Sequence, residues 1–280
     1  MGERKIEEEY RASSSFSRRL INPTLEIQDL KFSYSLEDDN QRMAVLGGVS
    51  FDVPAGGYCS IIGPSGCGKS TLLQCSAGLI QAYKGKVTLE DMHPESVRAK
   101  HLISFVFQKP VFFEWKTILE NVALPAQVAE MQNVESAAME YLGLFQIDTF
   151  AHAFPHELSG GMLSRAAMAR ALITQPSYLV LDEAFNHLDE SLRDRINHDI
   201  QTYWMSNHPT VLAVTHSISE AVLMSDSVVV LSKKPARVID RIEIPLDRPR
   251  SADVLSTTLG IKLISRIRSA LERAYMTERE

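Results

Sequence analysis

Gly63-Pro64-Ser65-Gly66-Cys67-Gly68-Lys69-Ser70 satisfies every fixed position of G-x-x-x-x-G-K-[ST]. Glycines at this spacing let successive backbone N–H groups turn inward around phosphate oxygens, and a helix opening at Lys69 adds partial positive charge. Lys69 is placed to reach the outer phosphates, and the Ser70 hydroxyl, followed by Thr71, to ligate Mg²⁺ beside them. Further along, Tyr178-Leu179-Val180-Leu181 runs directly into Asp182-Glu183. An apolar run of that kind suits a strand buried on both faces, which delivers two carboxylates to one edge of a sheet. Asp182 can then hold a divalent cation, and Glu183 can accept a proton from an attacking water.

Those residues need a scaffold, and the rest of the sequence supplies its parts. Nine of the 14 glycines fall between Gly47 and Gly85, concentrating unusual backbone geometry around the phosphate loop. Leu25–Leu30 and Val49–Val53 alternate apolar and polar residues and read as half-buried antiparallel strands. Tyr58–Ile62 reads as a short apolar strand, followed by a helix from Lys69 to Cys75. Further strands are expected at Lys86–Leu89, Ile103–Phe107, Tyr178–Leu181, Thr210–Val214 and Val228–Leu231. Between Lys109 and Leu172 the strand signal fades, and helical spacing over Val134–Leu144 and Met162–Leu172 suggests an inserted helical subdomain. Ile261–Ala274 has the apolar spacing of an amphipathic helix. The alternation points to an α/β nucleotide-binding core.

The 280 residues carry a net charge of −6, with 45% hydrophobic and 23% charged residues. Such a chain can bury a substantial core, and its overall field does not attract nucleic acid. Three cysteines, none in C-x-x-C spacing, argue against a disulfide scaffold or a zinc site and favour a reducing compartment. No apolar run reaches the roughly 18–20 residues that span a bilayer. The charged residues 1–24 read as a mobile tail. Cys67, at a helix N-terminus, stands where a thiol pKa can be lowered and where alkylation would block nucleotide binding, but an inert small residue that simply fits the loop is the favoured reading.

Leu158-Ser159-Gly160-Gly161-Met162, lying between the phosphate loop and the Asp-Glu strand, resembles the signature motif of ABC-type ATPases. Other positions match in order along the chain. Gln108 resembles the Q-loop glutamine that contacts Mg²⁺ and senses the membrane partner. His216 is similar to the switch histidine at the γ-phosphate, and Asp189 to the D-loop aspartate that reaches across a dimer. Tyr34 stands where an aromatic residue stacks on adenine.

The resemblance covers about residues 25–245 and implies an α/β P-loop NTPase fold, a RecA-like core with an antiparallel β subdomain and a helical insert at about 109–172. Residues 246–280 would form a helical extension. It also implies ATP and Mg²⁺ as ligands. Gly63, Pro64, Ser65, Gly66, Cys67, Gly68, Lys69, Ser70 and Thr71 of one copy, with Tyr34, would face Ser159, Gly160, Gly161 and Asp189 of a second. Glu183, His216, Gln108 and Lys69 would be catalytic, with Ser70, Gln108 and Asp182 at the metal.

Met162, Pro110 with Glu114-Trp115-Lys116-Thr117, and Ile244–Arg250 resemble the nitrate/sulfonate/taurine importer ATPases. That group implies an integral membrane permease as partner, docking on Lys109–Thr117 through Phe112, Phe113 and Trp115, although those aromatics could equally be core of the helical insert. It also implies an extracytoplasmic substrate-binding protein acting indirectly, and a peripheral position on the cytoplasmic face of the inner membrane. Ala184, Asn186-His187, Glu114 and Leu163-Ser164 depart from the group's usual residues. A soluble single-unit ABC ATPase, for example in iron–sulfur cluster assembly, is the alternative. A GTPase lacks its base-reading Asn-Lys-x-Asp motif here.

Overall fold

The computed structural model describes residues 24–35, 42–184 and 190–276, with the side chains of residues 190–195 excepted. The N-terminal tail up to residue 23, and Asn186, His187 and Asp189, lie outside the described residues.

The strands form two sheets. In the first, β1 (Leu25–Ser35) runs antiparallel between β2 (Arg42–Val53) and β4 (Lys84–Leu89). Leu25 and Ile27 point into the core while Glu26 and Gln28 face outward, which is the alternation the sequence displays. The pairing slips between Ile27 and Leu30, where Asp29 adopts φ 43°, so the strand continues to Ser35 with a bulge rather than ending at Leu30.

The second sheet has the order β5-β6-β7-β3-β8-β9. Its strands β3 (Tyr58–Ile62), β6 (Tyr178–Asp182), β7 (Thr210–Val214) and β8 (Ser227–Leu231) are buried at every residue. They run parallel, as does the edge strand β5 (Ile103–Val106), and β9 (Val238–Glu243) closes the other edge antiparallel to β8. Continuous burial on both faces explains why these four segments read as unbroken apolar runs. Val214 pairs with both Ile61 and Asp182, and Val106 pairs with Leu181. The ends of β3, β5, β6 and β7 therefore meet along one sheet edge.

Helix α1 (Lys69–Ser76) follows β3, and the short α2 (Pro94–Ala99) follows β4. Between β5 and β6 lie α3 (Ile118–Val128), α4 (Val134–Leu144) and α5 (Gly160–Leu172). They share a core that includes Ile118, Val122, Leu142, Phe145, Ala166 and Leu172. Thr117 starts α3 with a reciprocal cap: its Oγ1 accepts from Glu120 N at 3.2 Å, and its N–H donates to Glu120 Oε2 at 2.8 Å. Helices α6 (Glu190–Asn207) and α7 (Ile218–Met224) flank β7.

The chain ends in α8 (Thr258–Met276), whose Leu263, Ile267, Ala270 and Ala274 pack against β8 and α7 residues. Ahead of α8, the buried Arg250 donates to the carbonyls of Val222, Ser225 and Leu246, capping the end of α7. Arg248 bonds Asp226, whose other oxygen accepts the backbone N–H of Tyr58 at the start of β3. Among the described residues no helix is long and apolar enough to cross a membrane.

Candidate active site

The phosphate loop leaves β3 at Ile62 and enters α1 at Lys69. Gly63 passes so close to β8 that a Cβ there would lie 2.9 Å from the Leu231 carbonyl oxygen. Gly68 holds φ 114° and caps α1, a conformation that L side chains rarely adopt. Ser65 and Gly66 form the exposed tip of the loop. Beneath it the buried Lys69 donates from Nζ to the carbonyls of Gly63 at 3.0 Å and Pro64 at 3.1 Å. The Tyr34 hydroxyl shares a 3.3 Å hydrogen bond with Thr71 Oγ1, and the ring makes an edge contact with Phe32 at 4.8 Å between centroids. That leaves Tyr34 partly exposed beside the start of α1.

Sheet register brings the acidic pair to this loop. Ser70 Oγ donates to Asp182 Oδ1 at 3.1 Å. Burial raises the Asp182 carboxyl above its ordinary range, the Ser70 hydrogen bond opposes that shift, and the neighbouring Glu183 charge adds to it. A paired hydroxyl and carboxylate are hard oxygen donors of the kind Mg²⁺ takes, leaving further positions for phosphate oxygens and water. Glu183 follows with φ 50°, its N–H donating to the Val214 carbonyl at 3.0 Å. Its carboxylate lies between two side chains: Gln108 Nε2 donates to Oε2 at 2.7 Å, and His216 Nε2 stands 2.5 Å from Oε1. Ser70 and Asp182 form one contact at this edge, and Gln108, Glu183 and His216 form the next, with Lys69 beside Ser70 bonded to its own loop.

Ser159, Gly160 and Gly161 are placed elsewhere. Ser159 caps α5, its Oγ accepting from Met162 N at 3.3 Å, and Ser164 Oγ donates to the Gly160 carbonyl at 3.1 Å. These bonds stay within α5, and Ser159 and Gly160 are exposed, with open space around the position of a Gly160 Cβ. The start of this helix is free to face another molecule.

Two expectations change. Burial raises the Cys67 thiol pKa, outweighing the nearby Lys69 charge and the backbone hydrogen bonds, so the helix start does not activate it. Phe112 turns inward against the helical core beneath Arg170, whose guanidinium carbon lies 4.6 Å from the ring centroid. Phe113 and Trp115 alone of the three aromatics stay on the surface, Trp115 being 73% exposed, with rings 5.0 Å apart.

Asn121 belongs to no motif and is not singled out by the sequence. Its side chain, 1% exposed, accepts from Phe113 N at 2.8 Å and donates to the carbonyls of Phe113, Lys116 and Thr117. An asparagine at a core-spaced position between Ile118 and Val122 was the available signal, since such a residue is a poor helix former.

A family model for the ABC transporter matches residues 46–186, spanning the phosphate loop, the Ser159 segment and the acidic pair. The chain belongs to the ABC transporter family. The taurine import ATP-binding protein TauB of Rhizobium johnstonii is 40% identical over 205 residues, covering 72% of this chain and 78% of that one. An aliphatic sulfonates import ATP-binding protein, SsuB of Bacillus cereus, is 36% identical over 207 residues, covering 74% and 81%. Among solved structures, the dimeric ATP-binding cassette MJ0796 in a post-hydrolysis state with ADP and Pi superposes with a TM-score of 0.73 at 26% identity. That match covers 80% of this chain and all of the solved one. The fold is therefore the P-loop NTPase fold of an ABC cassette, and the chain is an ATPase of that family.

Proposed function

We propose that this chain is the ATP-hydrolysing subunit of an importer for a small anion or organosulfur compound of the nitrate, sulfonate or taurine type. The observation that carries the site is the Glu183 carboxylate held between Gln108 and His216, one residue beyond the Ser70–Asp182 pair. The loop N–H groups from Gly63 to Thr71 receive the phosphates, and Lys69 exchanges its two carbonyl partners for phosphate oxygens. Tyr34, steadied by Thr71 and Phe32, offers its ring to adenine. Ser70, Asp182 and Gln108 would hold Mg²⁺, which would supply charge neutralisation at the phosphates. Glu183 takes the proton of the attacking water, and Gln108 and His216 hold its carboxylate in place for that transfer.

Two copies complete each site, with Ser159, Gly160, Gly161 and Asp189 of one meeting the phosphate loop of the other. The exposed start of α5 supports this pairing. Phe113 and Trp115 receive an integral membrane permease at the cytoplasmic face, and an extracytoplasmic binding protein delivers the cargo to that permease. The importer class follows from likeness to TauB and SsuB. Residues 25–245 make the ATPase unit with its helical insert at about 109–172, and the helix that follows residue 246 is an extension of it.

Glu183→Gln should bind Mg-ATP, run as a dimer on sizing, and hydrolyse at least ~100-fold more slowly, as expected for loss of a general base. Hydrolysis at the parent rate would remove Glu183 from this role.

A further inference from the structure

Arg170, in the last turn of α5, is half-buried, and that burial pulls its pKa below the ordinary arginine value. Among the described residues no carboxylate pairs with it. Its partners are the Val111 carbonyl, which accepts from Nη1 at 2.5 Å, and the face of Phe112. Partly desolvating a cation costs more than burying an apolar side chain of the same volume, so packing alone does not account for it. What a planar guanidinium adds is a fixed grip on a carbonyl and a ring at once.

The segment it grips is short and is held at both ends. Gln108 ties one end to Glu183. Asn121 ties the other through Phe113, Lys116 and Thr117, leaving Phe113 and Trp115 at the surface. Val111 and Phe112 lie between these anchors, and Arg170 fastens them to α5. The opposite end of that helix carries Ser159.

We propose that Arg170 is a positioning residue that locks residues 108–117 to α5, so that the Gln108–Glu183 contact, the Trp115 surface and the Ser159 end of the helix shift together when nucleotide binds. This rests on the ATP site proposed above. Rigid elements joined by a specific contact can carry such coupling, and a measured response at a distance is what establishes it.

The chain has two tryptophans, so Trp204→Phe leaves Trp115 as the only indole. Iodide quenching of Trp115 is measured in this parent with and without Mg²⁺ and the non-hydrolysable analogue AMP-PNP. Nucleotide affinity is measured separately by displacement of a fluorescent ATP analogue. The parent should show a nucleotide-dependent change in quenching. Arg170→Met should keep the affinity and lose the change, and Arg170→Lys, which keeps the charge but not the fork, should lose it too. If the Met variant fails to fold, the Lys variant decides. A change retained in the variants, or absent from the parent despite binding, overturns the proposal. So does a variant that loses affinity and response together, because that is a purely structural role. A parent that binds no nucleotide overturns the ATP site itself, a result the affinity measurement separates from the others.

Discussion

Glu183 holds a left-handed backbone, φ 50°, that costs a non-glycine residue roughly 1–2 kcal/mol. Its N–H on Val214 and its carboxylate between Gln108 and His216 fix it there. The cost is thus attached to the one residue whose direction the proposed chemistry depends on. Gly63 makes the complementary case, where the backbone is ordinary and space is the limit. Gly63→Ala sets a methyl 2.9 Å from the Leu231 carbonyl oxygen and 3.2 Å from its Cβ. We expect the strain of overpacking, about 1–3 kcal/mol, to appear as a lower urea midpoint together with weaker ATP binding in a filter assay. Unchanged values for both would mean that β8 yields at no cost. At this scale the sequence was informative because phosphate, metal and proton transfer each demand particular residue types at particular spacings. The Tyr34–Thr71 bond was not legible, since it joins a strand of one sheet to a helix 37 residues further along the chain. The direction of the Cys67 shift was not legible, because a helix start and burial push a thiol in opposite directions and only the fold shows which prevails.

At the level of elements, the register of β7 assembles the site: Val214 faces Ile61 on one side and Asp182 on the other. The buried strands could be read from their apolar runs, whereas the order that makes β3 a neighbour of β7 and β8 could not, since parallel pairing leaves no local signal. Helix α3 went unread for a related reason. It carries Asn121 on its buried side and Pro125 within it, both poor helix formers, and tertiary packing overrides those preferences. Asn121→Ala should show how much that single amide holds. It leaves the Phe113 N–H and the loop carbonyls without their partner, at a cost of at least about 1–3 kcal/mol for each buried group not reached by water. A lower unfolding midpoint and faster chymotryptic cleavage at Phe113 and Trp115 are the expected results. Cleavage at the parent rate would show that other contacts suffice to hold the loop.

Over the whole molecule, the buried thiols make stability depend on pH. Burial pushes Cys59 and Cys75 from 9.0 up to about 12, and raises Cys67. The folded chain therefore keeps protons that the unfolded chain releases, so the stability these groups lend is complete below about pH 9 and is lost as pH climbs toward 12. Each thiol contributes at most about 1.4 kcal/mol per pH unit to that fall. Urea midpoints measured at pH 8 and pH 10.5 should drop, and the drop should shrink in Cys59→Ala and Cys75→Ala even though both lose packing. A drop of the same size in these variants would assign it to other groups.

The strand order also sets a timetable. β3, which carries the phosphate loop, is synthesised early, yet both strands that flank it, β7 and β8, belong to the later part of the chain. At about 5–20 residues per second, a ribosome leaves β3 without a neighbour for roughly seven to thirty seconds. Nascent chains stalled after Asn207, with a spacer long enough to clear the ribosome, should contain the whole Gly63–Ser70 motif and yet retain no ATP. Chains stalled beyond Met276 should retain it. Throughout that interval the apolar Tyr58–Ile62 waits without either of its sheet partners, an exposed run in the newborn chain of the kind that aggregates unless shielded.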